Sequence, residues 1–238
     1  MAEEQKRANG NPLTRSQLDR KLGQHFRTIL KKAGKQFLPN IASSISEIRQ
    51  FRACNGKEQL VYLRLRLRDS INFLDSRPFP PSEKTRSFLF VCFGNIMRSP
   101  MCEALMNRAL LPGARFAVTS AGLNATPGRV AHPWAITAAE EFGVSLKNHK
   151  ARLLTAEMVA HADAIFTMDY QNQAQLIARY PETSGKVCLL GAYSGGTARS
   201  LQIRDPYYGG EKATRECYKT LEACIEKLVR ACSYKQQS

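Results

Sequence analysis

Residues 87–100 read SFLFVCFGNIMRSP, and this stretch decides how the second part of the chain folds. Its first six residues include five apolar ones, at 88–92, and are typical of a buried strand. Ser99 and then Pro100 suit the N-cap and the first turn of a helix. Between them lies a short loop that contains Gly94 and Asn95, the residue types that most readily adopt a positive φ. The stretch therefore predicts a strand, a tight loop, and a helix whose N-terminus faces that loop.

The chain after this stretch alternates short apolar runs with amphipathic runs, which is the pattern of a parallel α/β sheet. Further strands are predicted at 115–121, 162–168 and 186–193. Helices are predicted at 100–110, 133–142, 170–180 and 212–234. Ligands of open parallel sheets bind at the carboxyl ends of the strands, so Cys92 lies where a site is expected.

The chain before this stretch has a different composition. Thr14 and Gln17 resemble a capping box and precede apolar residues at helical spacing, and residues 60–74 fit a helix better than a strand. RPFPPSEKTR, at 77–86, has the composition of a linker. We therefore expect a mainly helical N-terminal extension over 1–76, a linker over 77–86 and an α/β domain over 87–238.

The net charge of +15 is concentrated in the N-terminal third. Residues 1–86 carry 18 Lys and Arg against 8 Asp and Glu, a net +10, and residues 87–238 carry 17 against 12, a net +5. A packed helical cap on the rest of the chain and docking to an acidic partner are the first interpretations of such an extension. An anionic membrane contact and a solvated basic face stay open, while its sparse aromatic residues weaken the case for nucleic acid. With no signal-peptide pattern and no long apolar window, we expect a soluble cytoplasmic protein.

The seven cysteines are an odd number without any CxxC pair, which favours reduced thiols. The spacing Cys-x5-Arg occurs at Cys92 and again at Cys102 and Cys224. The second and third pairs lie inside predicted helices, where six residues at about 100° each place the two side chains on different faces. Only Cys92 and Arg98 flank a loop, so only they are expected to meet on one ligand.

The residues around Cys92 suit phosphate chemistry. Backbone N–H groups of the loop can form an anion-binding nest, and Arg98 offers two parallel donors to two phosphate oxygens. The same positive field should favour the thiolate of Cys92, a nucleophile that would form a phosphocysteine intermediate. Ser99 could hydrogen-bond the departing thiolate. Asp205, in the turn RDPYYGG, is the candidate acid and base.

These residues resemble the low-molecular-weight protein tyrosine phosphatases. The family's loop pattern is matched by CFGNIMRSP and its later acidic motif by DPYYG. The resemblance continues through TSAG, HKARLLT, TMD and LLGAY and covers residues 86–234. It implies a four-stranded parallel sheet with helices on both faces, of the phosphotyrosine phosphatase I-like type, and hydrolysis of phosphotyrosine without a metal or organic cofactor.

The resemblance also implies roles for individual residues. Cys92 would be the nucleophile, Arg98 the phosphate-binding arginine, and Asp205 the general acid and then base. His149 would brace the loop at Asn95, the family's strained asparagine. Phosphate and substrate contacts are expected from Phe93, Gly94, Asn95, Ile96, Met97, Ser99 and Tyr207.

Two positions depart from the family's pattern. Met97 stands where the family has a second loop cysteine, so a protective loop disulfide cannot form and oxidation of Cys92 should be harder to reverse. Trp134 lies in HPWA, where the family more often has Asp-Pro-Arg. We expect Trp134 to pack rather than to reshape the cleft rim.

Three alternatives remain at this point. Arsenate reductases share the loop but need a downstream cysteine pair, and the segment after TMD supplies only Cys188. Protein-arginine phosphatases also share the loop, but they resemble a form of it that has threonine at the position of Ile96. A non-catalytic module working through the basic extension is the third. The expected partners are a phosphotyrosine protein, a tyrosine kinase, and an anionic membrane contacted peripherally by residues 1–76.

Overall fold

The computed structural model describes residues 41–71, 85–110, 116–194 and 201–234. The chain forms two compact units, Met1–Ile48 and Arg49–Ser238. The helix predicted from Thr14 onward and most of the linker predicted at 77–86 lie outside the described residues. Within the described ranges, no helix combines the length and the apolar composition that crossing a bilayer requires.

The second unit is built from alternating strands and helices. Helix α1 (Ile41–Arg52) includes the boundary between Ile48 and Arg49, and α2 (Gly56–Ile71) follows it in the chain. The later elements are β1 (Ser87–Cys92), α3 (Arg98–Ala109), β2 (Ala117–Gly122), α4 (Pro133–Glu141), α5 (Ala156–His161), β3 (Ala164–Thr167), α6 (Tyr170–Arg179), β4 (Val187–Leu189) and α7 (Gly210–Tyr234). Every predicted strand and helix from residue 87 onward is present, and α5 is one that the sequence pattern did not predict.

The four strands form one parallel sheet in the order β2-β1-β3-β4. In β1, Phe90 lies between Ser120 of β2 and Phe166 of β3. The last residue of β1, Cys92, is paired with the last residue of β2, Gly122. The expected four-stranded parallel sheet is confirmed, and its carboxyl edge brings the ends of β1 and β2 together.

Alternate residues of β1 face two separate cores, so the sheet is covered on both faces. Phe88 and Phe90 pack in the larger core with side chains of α3, α4 and α7. Leu89 and Val91 pack in the second core with Val159 of α5 and Leu176 of α6. The helices on both faces follow directly from this alternation.

Helix α2 packs on the outer side of α6. Its N-terminus is a capping box in which Asn55 Oδ1 accepts from the Glu58 N–H at 3.1 Å and Glu58 Oε2 accepts from the Asn55 N–H at 2.9 Å. Tyr62 and Leu65 are buried in a cluster with Tyr170 of α6. The helix predicted over 60–74 is confirmed as far as residue 71.

Candidate active site

The loop between β1 and α3 is held from outside by its carbonyl groups. Five of these carbonyls accept hydrogen bonds from surrounding segments: Cys92 from Leu123 N, Phe93 from Asn124 N, Asn95 from His149 Nε2, Ile96 from His132 N and Met97 from Tyr218 Oη. With the carbonyls turned outward, the peptide N–H groups are left to face inward. One of them, Asn95 N–H, lies 3.3 Å from Cys92 Sγ.

Asn95 provides the left-handed turn of the loop. Its φ is 53°, and it is the one non-glycine residue with positive φ among those described. Its side-chain Nδ2 donates to Ser99 and Ser120 hydroxyls at 2.9 Å each, and its Oδ1 accepts from Arg152 N–H at 2.8 Å. The expectation that Gly94 also takes positive φ is wrong, because Asn95 alone supplies the turn.

Gly122, at the end of β2, lets the loop approach the sheet. A Cβ at this position would lie 2.8 Å from Asn95 N and 2.9 Å from the Gly94 carbonyl carbon. Both are backbone atoms that cannot move aside as a flexible side chain can. The glycine is therefore required by a close backbone contact, a role that the sequence pattern TSAG did not reveal.

Ser99 contacts the thiol instead of capping the helix. Helix α3 begins at Arg98, with Met97 as its N-cap, so the prediction that Ser99 is the N-cap is wrong. The Ser99 hydroxyl lies 3.0 Å from Cys92 Sγ and 3.3 Å from the Ala121 carbonyl. Because Asn95 already donates to this hydroxyl, its own proton is available to the sulfur or to that carbonyl.

Arg98 is buried at the floor of the site between two acids. Its Nη1 donates to Asp169 Oδ2 at 2.7 Å and to the Ile203 carbonyl at 3.0 Å, and its Nη2 donates to Asp205 Oδ2 at 2.5 Å. Burial alone disfavours its charge, but Asp205 and Asp169 outweigh burial and raise the pKa of Arg98. The guanidinium therefore stays charged and fixed in direction.

Asp205 lies at the edge of the site, where its side chain is 45% exposed. Its Oδ2 contacts Arg98 and its Oδ1 accepts from the Tyr207 N–H at 3.1 Å. The Tyr207 ring packs against the larger core, while the neighbouring Tyr208 is almost fully exposed. The carboxyl group and an aromatic ring thus stand side by side at the mouth.

A polar network supports the loop from behind. Arg152 Nη2 contacts both carboxylate oxygens of Glu103, at 2.8 and 2.6 Å. The Ser120 hydroxyl donates to Glu103 Oε2 at 2.5 Å. His149 must carry its proton on Nε2, because the Asn95 carbonyl that it contacts at 2.8 Å can only accept. The loop conformation is therefore fixed by side chains as well as by backbone.

The two other Cys-x5-Arg pairs do not converge. Cys102 is buried in the larger core, while Arg108 bonds the Phe142 carbonyl and Glu222 near the surface. Cys224 is likewise buried, and its partner Arg230 pairs with Glu226 of its own helix. Burial raises the pKa of the Cys224 thiol to about 12. Neither pair can therefore bind one ligand together, as predicted from their positions inside helices.

The structure brings together the residues predicted for the site, and it adds others. The loop from Cys92 to Ser99 adjoins Asp205 and His149, with Tyr207 at the rim. The sequence analysis missed the roles of Asp169, Ser120 and Gly122. Gly122 ends β2, Ser120 lies two residues before that end, and Asp169 follows β3. All three are near the carboxyl edge of the sheet, a position that could have signalled them. No group of three or more metal-ligating side chains occurs in the parts of the chain that the structure describes.

Comparisons with known proteins match this architecture. Residues 87–238 match the family model of the low molecular weight phosphotyrosine protein phosphatases. The Escherichia coli K12 low molecular weight protein-tyrosine-phosphatase Etp is 39% identical over 153 residues, which is 63% of this chain and 97% of that protein.

Two solved structures are similar as well. The Erwinia amylovora tyrosine phosphatase AmsI has a TM-score of 0.57 at 36% identity, covering 62% of this chain and 93% of that one. The Geobacillus stearothermophilus arginine phosphatase YwlE has a TM-score of 0.59 at 31% identity, covering 64% and 96%. From the extent of the family match, the chain belongs to the low molecular weight phosphotyrosine protein phosphatase family.

Proposed function

We propose that this chain hydrolyses phosphotyrosine in proteins through a phosphocysteine intermediate on Cys92. The observation that carries the proposal is the position of Cys92 Sγ, 3.3 Å from the Asn95 N–H and 3.0 Å from the Ser99 hydroxyl, buried at the base of the loop. Both groups can donate a hydrogen bond to the sulfur. The phosphoryl group would occupy the loop above it.

In the first step the Cys92 thiolate attacks phosphorus. A P–S bond forms, the bond from phosphorus to the tyrosine oxygen breaks, and protonated Asp205 gives its proton to the departing phenolate. The loop amides and Arg98 hold the negative charge of the equatorial oxygens. The anchoring of Nη1 by Asp169 and Ile203 supports this role for Arg98, because it fixes the guanidinium plane.

In the second step Asp205 acts as a base. It takes a proton from water, the water oxygen attacks phosphorus, and the P–S bond breaks to release inorganic phosphate and the thiolate. The Ser99 hydroxyl stabilises the leaving thiolate through the contact at 3.0 Å. The exposure of Asp205 at the edge of the site supports its access to water.

The surroundings of Asp205 support the proposal that the substrate is an aromatic phosphate. The Tyr207 backbone N–H bonds the carboxyl group, and the Tyr207 ring, which packs against the larger core, offers an apolar surface to a phenyl ring. Ile96 and Met97 belong to the loop, but their apolar side chains are buried in the larger core and carry no hydroxyl. The aromatic surface next to Asp205 suits a phosphate monoester of tyrosine.

Assays of the purified protein test the proposal. We expect metal-independent hydrolysis of p-nitrophenyl phosphate, no turnover by Cys92→Ser, and a kcat lowered about 10²- to 10⁴-fold by Asp205→Ala with phosphate binding largely retained. Full activity in Cys92→Ser would overturn the assignment.

Phosphoarginine is the second candidate substrate, because the arginine phosphatase YwlE is 31% identical to this chain. Comparison of kcat/KM on phosphoarginine and phosphotyrosine decides between them. We expect phosphotyrosine to be preferred, since Ile96 offers no hydrogen bond to a guanidinium.

We further propose that residues 87–238 form the catalytic domain and that residues 1–76 contribute contacts outside it, with a tyrosine kinase or an anionic membrane. The excess positive charge of the extension supports such contacts. Co-sedimentation of the full chain with anionic vesicles, compared with neutral ones, tests the membrane contact.

A further inference from the structure

The exposed large apolar side chains of this protein concentrate around the site. Seven such side chains occur in the part of the chain that the structure describes. One of the seven is Phe93, a residue of the active-site loop itself. Four others are each one or two positions in sequence from a residue that contacts the loop or Asp205: Val130, Trp134, Leu153 and Tyr208. A surface of this kind around a catalytic mouth is typical of a site that binds an apolar segment.

Four aromatic rings form a continuous row within this surface. The ring centroids of Trp134 and His132 are 4.7 Å apart, those of His132 and Tyr207 are 5.5 Å apart, and those of Tyr207 and Tyr208 are 4.9 Å apart. The second and third contacts are edge-on, and all three lie in the range of favourable aromatic pairs. The row therefore extends the aromatic wall beyond Tyr207 and up to Trp134.

Both parts of the row are fixed to the catalytic residues. The His132 N–H donates to the Ile96 carbonyl at 3.0 Å, and the His132 Nδ1 accepts from the Trp134 N–H at 3.2 Å. The Tyr207 N–H donates to Asp205 Oδ1. Because these bonds tie His132 to the loop and Tyr207 to the acid, the row that ends in Trp134 keeps a defined position relative to both.

Trp134 packs on His132, as expected from the sequence, yet 36% of its surface is exposed. The two centroid distances through His132 place the Trp134 ring at most about 10 Å from the Tyr207 ring. An extended peptide rises about 3.3 Å per residue, so this distance corresponds to two or three residues. The exposed indole face is thus within reach of a neighbour of the phosphotyrosine.

We propose that Trp134 is a specificity residue that selects phosphotyrosine sites with an aromatic or large aliphatic residue two or three positions away. The proposal rests on the proposed phosphotyrosine hydrolysis and adds a substrate class to it. Trp134 binds the neighbouring side chain and takes no part in the chemistry at phosphorus. Its contribution belongs to peptide substrates and is absent for small aryl phosphates.

The test compares phosphotyrosine peptides on the full chain. One all-serine parent peptide is compared with peptides carrying a single phenylalanine at each position from three before to three after the phosphotyrosine. We expect wild type to prefer at least one phenylalanine peptide about threefold to tenfold in kcat/KM, mainly through KM. Trp134→Ala should remove this preference and Trp134→Phe should retain most of it.

Leu60→Ala, an exposed apolar truncation on α2, is the matched control and should keep the full preference. Turnover of p-nitrophenyl phosphate should stay within about twofold in all variants. The proposal is overturned if wild type shows no preference, if Trp134→Ala keeps it, or if Trp134→Ala impairs p-nitrophenyl phosphate turnover as much as peptide turnover. Failure of wild type on every aryl phosphate would instead refute the proposed function.

Discussion

At the scale of single residues, the site depends on one strained residue held by many partners. Asn95 adopts a left-handed conformation that costs a non-glycine residue of order 1 kcal/mol. Bonds from its side chain to Ser99, Ser120 and Arg152 hold it there. The strain turns the Asn95 N–H toward Cys92, which is the direction that phosphate binding needs.

Gly122→Ala tests the close contact behind Asn95. The added Cβ would meet backbone atoms at 2.8 and 2.9 Å, so the loop must shift. We expect a loss of about 1–3 kcal/mol in the free energy of unfolding and at least a tenfold fall in kcat/KM. Gly185→Ala is the matched control, because a Cβ there has no neighbour within 4 Å. Equal activity of the two variants would contradict the account.

His132 provides a prediction about pH. Burial first, and then Arg129, lower the pKa of His132 below its ordinary value of 6.5. Folding therefore favours the neutral ring, and this contribution to stability is lost as the pH falls from 6.5 through the folded pKa. An NMR titration should give a midpoint below 6.5, and Arg129→Ala should move it part of the way back. A midpoint above 6.5 would show that the ring is not placed as described.

The sequence predicted the residues that act within one short motif and missed those that act across the fold. Cys92, Asn95 and Arg98 lie within seven consecutive residues, so their spacing is visible. Asp169 reaches Arg98 across 71 positions of sequence, and only the sheet topology brings them together. The N-cap prediction for Ser99 failed for a local reason, because its hydroxyl is engaged by the sulfur and by Asn95.

At the scale of elements, the strands were predictable because buried parallel strands are short apolar runs. Helix α5 was not, since six residues are too few to show a helical period. Its signal is the N-cap Thr155, whose hydroxyl accepts from the Met158 N–H. The position of α2 on α6 could not be predicted either, because its apolar face does not specify a partner.

A pair of substitutions on α2 tests that packing. Leu65 is buried in the cluster with Tyr170, whereas Leu60 on the same helix is exposed. Leu65→Ala should lower the free energy of unfolding by about 2–4 kcal/mol, and Leu60→Ala should change it by less than about 0.5 kcal/mol. Urea unfolding measures both. Similar losses in the two variants would mean that α2 does not pack through this face.

At the scale of the whole molecule, α2 lies close to the catalytic residues although it precedes residue 87. The Tyr62 ring contacts the Tyr170 ring at 6.1 Å, and Tyr170 follows Asp169, the partner of Arg98. Leu201 packs against the same cluster, two residues before Ile203. Helix α6, which α2 covers, therefore directly follows the acid that anchors Arg98.

Truncation tests whether α2 supports the domain. A chain that starts at residue 86 lacks α2 and exposes the face of α6 that Tyr62 and Leu65 cover. Burial of two such side chains is worth about 3–6 kcal/mol, so this chain should unfold at a lower urea concentration than one starting at residue 49. Identical unfolding of the two chains would contradict a stabilising role for α2.

The measurement that tests the central claim most directly is the detection of a phosphorylated Cys92. Asp205→Ala slows release of the intermediate, so rapid denaturation during turnover of p-nitrophenyl phosphate should trap it for peptide mass spectrometry. The account predicts one phosphoryl group on the peptide that contains Cys92 and none on that peptide in Cys92→Ala. A phosphoryl group on another residue, or steady turnover with Cys92 never modified, would contradict it.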